Sequence, residues 1–98
     1  MKNVNVTEVP EGAQIIDVRE PNEFAAAHAS GARNIPLSEL VARTSEIDPE
    51  HDIYIICKSG GRSAQAGEYL EQAYGWVNLY NVVGGTDEWV TQNLPHES

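Results

Sequence analysis

Cys57 is the one cysteine of this 98-residue chain, and it opens the run Cys57-Lys58-Ser59-Gly60-Gly61-Arg62-Ser63. The thiolate is the reactive form of cysteine, and a free cysteine has a pKa of about 8.5. Three features of this run can lower that value. Gly60 and Gly61 permit positive φ and close backbone approach, so successive N–H groups can converge on one sulfur. A helical pattern from Ser63 to Tyr74 places a helix N-terminus beside it. Lys58 and Arg62 bring two of the six basic residues of the chain to the same place. The chemistry such a loop allows is attack by sulfur and retention of a second sulfur or an anion. Ser59 and Ser63 can hydrogen-bond that anion or cap the helix. Arg62 can clamp a substrate or pair with a carboxylate such as Glu23, and the sequence leaves both open. A lone cysteine ending a strand is often an inert buried thiol. The glycines, arginine and helix that follow Cys57 favour the reactive reading.

Such a loop needs a frame. The β-branched run Ile53-Tyr54-Ile55-Ile56 leads straight into Cys57 and reads as a strand buried on both faces. Further strands are expected at Val4 to Val6, Ala13 to Val18, Ala32 to Ile35 and Val77 to Val83. Helices are expected at Pro21 to His28, Leu37 to Ser45, Ser63 to Tyr74 and Thr86 to Asn93, with a turn at Asp48-Pro49-Glu50. Gly67 in the third helix costs about 1 kcal/mol relative to alanine, which close packing against a sheet would explain. Alternating strands and helices imply an α/β fold with a parallel sheet covered on both faces. Ligands in such sheets bind outside the carboxyl ends of the strands. Three segments fall at that edge: Asp17-Val18-Arg19-Glu20, the Cys57 loop, and Val83-Gly84-Gly85.

Composition narrows the function classes. A length of 98 residues suits one domain, residues 1–98, with the informative motifs within 13–89. The formal charge of −9 argues against nucleic-acid partners. No apolar run approaches the ~20 residues of a membrane span, and the first residues form no secretory signal. A single cysteine excludes an internal disulfide and suits a reducing cytoplasm. The acidic surface disfavours nonspecific association, so a monomer is expected. His51 and His96 lie in polar surroundings without ligand spacing, so no metal site is expected.

The ordered motifs resemble those of single-domain rhodanese-like proteins, the thiosulfate sulfurtransferase class. They are Ile16-Asp17-Val18-Arg19-Glu20 with Glu23-Phe24, then His28, then Gly31-Ala32-Arg33-Asn34-Ile35-Pro36. The run from Cys57 to Ser63 follows, and Gly84-Gly85 with Trp89 ends the set. The resemblance implies a five-stranded parallel sheet with helices on both sides. It implies that Cys57 takes a sulfane sulfur from thiosulfate or another donor, holds it as a persulfide, and gives it to cyanide or a thiol. Lys58, Ser59, Gly60, Gly61, Arg62 and Ser63 would bind the anionic donor, with Lys58 favouring a dianion, and no cofactor is implied. A sulfur-relay or regulatory module loaded by a partner protein is the alternative. Phosphatases and arsenate reductases of this fold are a third reading. They place five residues between cysteine and arginine, whereas four separate Cys57 from Arg62. The chain departs from the family at His28, which Ala27 and Ala29 flank in place of a glycine and a larger aliphatic. Asp17 and Arg19 are expected to tie loops together, His28 to be a packed, hydrogen-bonded histidine, Trp89 to anchor the last helix, and Trp76 to be a partly buried surface aromatic.

Overall fold

A computed structural model describes residues 1–98. Five strands form one sheet: β1 (Lys2–Val4), β2 (Gln14–Asp17), β4 (Arg33–Asn34), β5 (Ile53–Ile56) and β6 (Leu79–Val82). Their order is β1-β6-β5-β2-β4, and every neighbouring pair is parallel. The central strand is β5, with Ile55 in register with Ile16 on one side and Asn81 on the other. Successive side chains of a strand point to opposite faces, so β5 divides the core in two. Ile53, Ile55 and Cys57 pack with Ala66 and Leu70 of helix α2 (Gly61–Tyr74). Tyr54 and Ile56 pack on the other side with Trp89 of helix α3 (Gly85–Thr91). A strand with no polar position must be covered on both faces, and here it is. Helix α1 (Pro21–Ala26) follows β2, with Pro21 in its first turn.

The register of the first strand differs from expectation. Lys2–Val4 is the strand, while Val6–Glu8 is a single 3-10 turn that buries Val6. Asn5 enters that turn with its N–H donated to Glu8 Oε1 at 2.8 Å, a local bond that competes with continued extension. Helix α1 stops at Ala26, because Ala27 is extended and His28 opens β3 (His28–Ala29). That strand pairs antiparallel with β7 (His96–Glu97), a two-stranded element too short to leave any periodicity in the sequence.

The largest difference lies at Leu37 to Ser45, expected as one helix. It is two 3-10 turns, Leu37–Glu39 and Thr44–Glu46, with Arg43 between them at φ −123° and ψ 17°. The Arg43 guanidinium bonds Glu39 at 2.9 Å, Glu46 at 2.7 Å and the Asn34 carbonyl at 3.3 Å. Those bonds hold a tight i to i+3 path, in which Leu40 N–H donates to the Leu37 carbonyl and Arg43 N–H to that of Leu40. Leu40 still reaches the core, while Val41 is 67% exposed. Gly67 also has a different cause from the one expected. The space its missing Cβ leaves is filled by the Met1 side chain, and the Met1 ammonium pairs with Glu71 on the next turn of α2.

Candidate active site

The chain leaves β5 at Ile56, runs through Cys57, Lys58 and Ser59, and enters α2 through Gly60. Cys57 is 1% exposed. Its Sγ accepts the Gly60 N–H at 3.0 Å and lies 3.3 Å from the Ser63 hydroxyl. Gly60 has φ +119°, a backbone state that L side chains rarely adopt, and this turns its N–H back toward the sulfur.

The carbonyls of the same segment point the other way and are held there. Thr86 N–H donates to the Cys57 carbonyl at 2.8 Å, and Asp87 N–H donates to the Lys58 carbonyl at 3.1 Å. These donors belong to the first turn of α3, where a helix has N–H groups to spare. The close approach depends on Gly85, at φ +59°, where an added Cβ would stand 2.6 Å from the Cys57 carbonyl oxygen. The Gly84-Gly85 pair thus supports the cysteine loop from behind. With carbonyls directed into α3 and N–H groups toward the sulfur, the loop presents a positive face to whatever Cys57 carries.

Burial pushes the Cys57 thiol up. The Ser63 hydroxyl and the N–H groups of Ser63, Gly60 and Ser59 outweigh it, so the thiol ionises below its ordinary value. Lys58 and Arg62, expected to act beside the sulfur, are both engaged with carboxylates. Lys58 Nζ lies 2.6 Å from Asp87 Oδ2. Arg62 makes a two-pronged bond to Glu23, at 2.7 and 2.9 Å. Of the two roles left open for Arg62, the structure shows the carboxylate pair. The Arg62 hydrogen bond, working against burial, holds Glu23 down at about 2. The pair also ties α1 to the start of α2.

One polar residue of the site was missed in the sequence. Asn81, 5% exposed in β6, lies with its Oδ1 2.5 Å from Ser63 Oγ. Its Nδ2 faces Asn3 Oδ1 at 3.3 Å and the Gly60 carbonyl at 3.4 Å. Ser63 has one hydroxyl proton and three neighbours able to take it: the Gly60 carbonyl at 3.1 Å, Asn81 Oδ1 and Cys57 Sγ. The signal was present as an asparagine inside the apolar strand Leu79-Tyr80-Asn81-Val82.

The flanking motifs brace this edge, as expected for them. Asp17 and Arg19 form a buried pair at 2.8 Å, and Arg19 also donates to the Glu23 and Ala27 carbonyls at 3.2 and 2.7 Å. His28 stacks on Phe24 with ring centroids 3.8 Å apart and bonds the Phe24 carbonyl through Nδ1 at 2.8 Å. Trp89 Nε1 donates to the Pro95 carbonyl at 2.8 Å, fixing the tail behind α3. Trp76 is half-buried and stacks on Tyr74. Ser59 and Gly61 are exposed at the mouth of the loop. No helix is long and apolar enough to cross a membrane.

A parallel sheet delivers one cysteine into a turn of inward N–H groups, opposite a Gly-Gly pair, which defines an α/β domain with one cysteine loop at the carboxyl edge of its sheet. Residues 5–92 match the rhodanese-like domain family, and the chain belongs to it. It is 47% identical over 77 residues to the uncharacterized protein YqhL of Bacillus subtilis, a match covering 79% of this chain but 60% of that one. It is 38% identical over 85 residues to a sulfurtransferase of Allochromatium vinosum, covering 87% of this chain and 78% of that one. The crystal structure of a rhodanese-related protein from Thermoplasma volcanium superposes with a TM-score of 0.89. That pair is 30% identical, with 99% of this chain and 98% of the other covered.

Proposed function

We propose that the protein is a sulfurtransferase in which Cys57 carries sulfane sulfur as a persulfide. The observation that carries this reading is the environment of one sulfur: a buried Sγ bonded by the Gly60 N–H at 3.0 Å and adjoining the Ser63 hydroxyl. The Cys57 thiolate attacks the sulfane sulfur of a donor. The donor S–S bond breaks, and its electron pair leaves on the departing group, sulfite when the donor is thiosulfate. Cys57 then bears an S–S⁻ group, whose charge the loop N–H groups stabilise as oxyanion-hole donors do. A second nucleophile, cyanide or a thiol, attacks the outer sulfur, and Cys57 leaves as the thiolate. The acceptor thiol can belong to a small molecule or to a protein. Four residues between Cys57 and Arg62 favour this over phosphate or arsenate chemistry, which the family's five-residue form serves. The assignment of the whole loop, residues 57–63, as the binding site is part of the same proposal.

The test is to incubate the protein with thiosulfate and, separately, with cysteine hydropersulfide, and to weigh the intact chain. A gain of about 32 Da that cyanide or dithiothreitol removes, and that Cys57→Ala abolishes, is expected. A chain that gains no sulfur from either donor refutes the reading.

A further inference from the structure

Asn81 is a polar side chain where the fold calls for an apolar one. It stands opposite Ile55 in the sheet register, and its strand neighbours Leu79 and Val82 are fully buried. A buried amide costs stability unless its N–H and C=O groups find partners. Asn81 Nδ2 lies 3.4 Å from the Gly60 carbonyl and 3.3 Å from Asn3 Oδ1. A backbone carbonyl only accepts, so the amide nitrogen belongs on that side and Oδ1 belongs toward Ser63. Oδ1 is an acceptor too, and at 2.5 Å it takes the Ser63 proton. The Ser63 oxygen then presents lone pairs to Sγ at 3.3 Å. That arrangement suits a neutral sulfur, either an S–H that donates to Ser63 or the uncharged inner sulfur of a persulfide. A thiolate gains from the hydroxyl only when the proton turns away from Asn81. The Gly60 carbonyl is a weaker rival for that proton, since the Ala64 N–H already occupies it at 3.2 Å.

We propose that Asn81 is a positioning residue that acts through Ser63, withholding its proton from Cys57 and so setting the balance between loading and unloading of sulfur. The inference rests on Cys57 acting as the sulfur carrier. In loading, Sγ attacks the donor's sulfane sulfur, the Sγ–S bond forms, and the donor's bond to that sulfur breaks. The electron pair of the broken bond leaves on the donor fragment. In unloading, an acceptor thiolate attacks the outer sulfur and bonds to it, the Sγ–S bond breaks, and the pair returns to Sγ. No proton is transferred at Ser63 in either step. Its O–H turns toward Sγ as charge returns there and toward Asn81 as charge departs. A more basic thiolate is the better nucleophile, with a Brønsted β of about 0.4–0.5, and the poorer leaving group. Asn81 therefore speeds loading and slows unloading. The charged groups at this edge do not depend on it: Asp17 remains with Arg19, Lys58 with Asp87, and Arg62, which feels the Cys57 charge, with Glu23.

Loading by thiosulfate or cysteine hydropersulfide and unloading by dithiothreitol are timed separately, by quenched-flow mass analysis, on wild type, Asn81→Leu and Asn81→Val. Leucine keeps the shape of asparagine and valine suits a buried strand. Neither change orphans Ser63, whose hydroxyl keeps Sγ and the Gly60 carbonyl within reach. The alkylation midpoint of Cys57 is expected to fall by about one unit. At a pH above both midpoints, loading is expected to slow about threefold and unloading to quicken about threefold. Below both midpoints the variant loads faster, because more of its thiol is ionised, so the two pH profiles cross. In a Ser63→Ala background the same change at Asn81 is expected to alter neither rate, since the hydroxyl it acts through is gone. A midpoint that is unmoved or raised overturns the inference. So do two rates that fall together, or an effect that persists without the Ser63 hydroxyl, and each of these leaves the persulfide carrier intact. A wild-type chain that takes sulfur from neither donor instead removes the carrier itself.

Discussion

Replacing Ser63 by alanine tests the origin of the Cys57 thiolate. The Ser63 hydroxyl lies 3.3 Å from Sγ and is fully buried, so no water takes its place at once. A hydrogen bond to a charged group contributes about 1.5–3 kcal/mol. At 1.36 kcal/mol per pKa unit this corresponds to a rise of roughly one to two units. The lower end is expected, because the same proton is also offered to Asn81 Oδ1 and the Gly60 carbonyl. The Gly60 N–H remains and keeps part of the depression. The assay is the rate of alkylation by iodoacetamide across pH, whose midpoint reports the thiol. Ser63→Thr keeps a hydroxyl and should restore the midpoint. Asn81→Leu should move it the other way, since Ser63 then loses its shortest competing acceptor and can turn its proton to the sulfur. Linkage gives a second readout. The unfolded thiol holds its proton to higher pH than the native one, so stability from the thiolate is complete above the unfolded pKa, about 8.5. That stability fades as pH falls through the native value, so the gap between wild type and Ser63→Ala should widen toward alkaline pH. A Ser63→Ala midpoint unchanged within about 0.3 unit, or lower than wild type, would refute the view that local hydrogen bonds create this thiolate.

Three other substitutions have defined outcomes. Gly85→Ala forces a Cβ against the Cys57 and Lys58 carbonyls at positive φ; a loss of about 2–4 kcal/mol in urea unfolding and slower alkylation of Cys57 are expected. Glu23→Gln removes a carboxylate held at about 2 rather than 4.5. The unfolded chain binds that proton first, so the pair's contribution is complete above about pH 4.5 and disappears as pH falls through 2. After allowance for solvent around this part-exposed pair it amounts to about 1 kcal/mol, and the variant's stability should be correspondingly flatter between pH 5 and 2. Leu70→Ala empties a fully buried site between α2 and the sheet; chemical denaturation should show a loss of about 2–5 kcal/mol with little change in the thiol's pH profile.

Legibility in the sequence followed the range of each interaction. The strand at Ile53–Ile56 was readable because four consecutive apolar residues admit only a position covered on both faces, and the parallel five-stranded sheet followed from the alternation around it. The Gly60 turn was readable because a glycine between strand and helix announces its own backbone freedom. The 3-10 turns around Arg43 were not, since Leu37 and Leu40 have helical spacing and the deciding bonds come from one arginine to three partners. Asn81 hid for a related reason, as its partner Ser63 lies 18 residues away and on another element. The two cations of the loop show the limit most clearly. In the sequence Lys58 and Arg62 are simply beside Cys57, and nearness along the chain suggests charge beside the sulfur. In space, Lys58 meets Asp87 at a separation of 29 residues and Arg62 meets Glu23 at 39. Because those carboxylates lie on α3 and α1, the elements that build the edge also neutralise it. The hydrogen bonds at the sulfur come from backbone N–H groups and one hydroxyl, which are neutral and short in reach. This is why the converging N–H groups around Cys57 could be read from the sequence, while the partners of Lys58 and Arg62 depend on the folded arrangement.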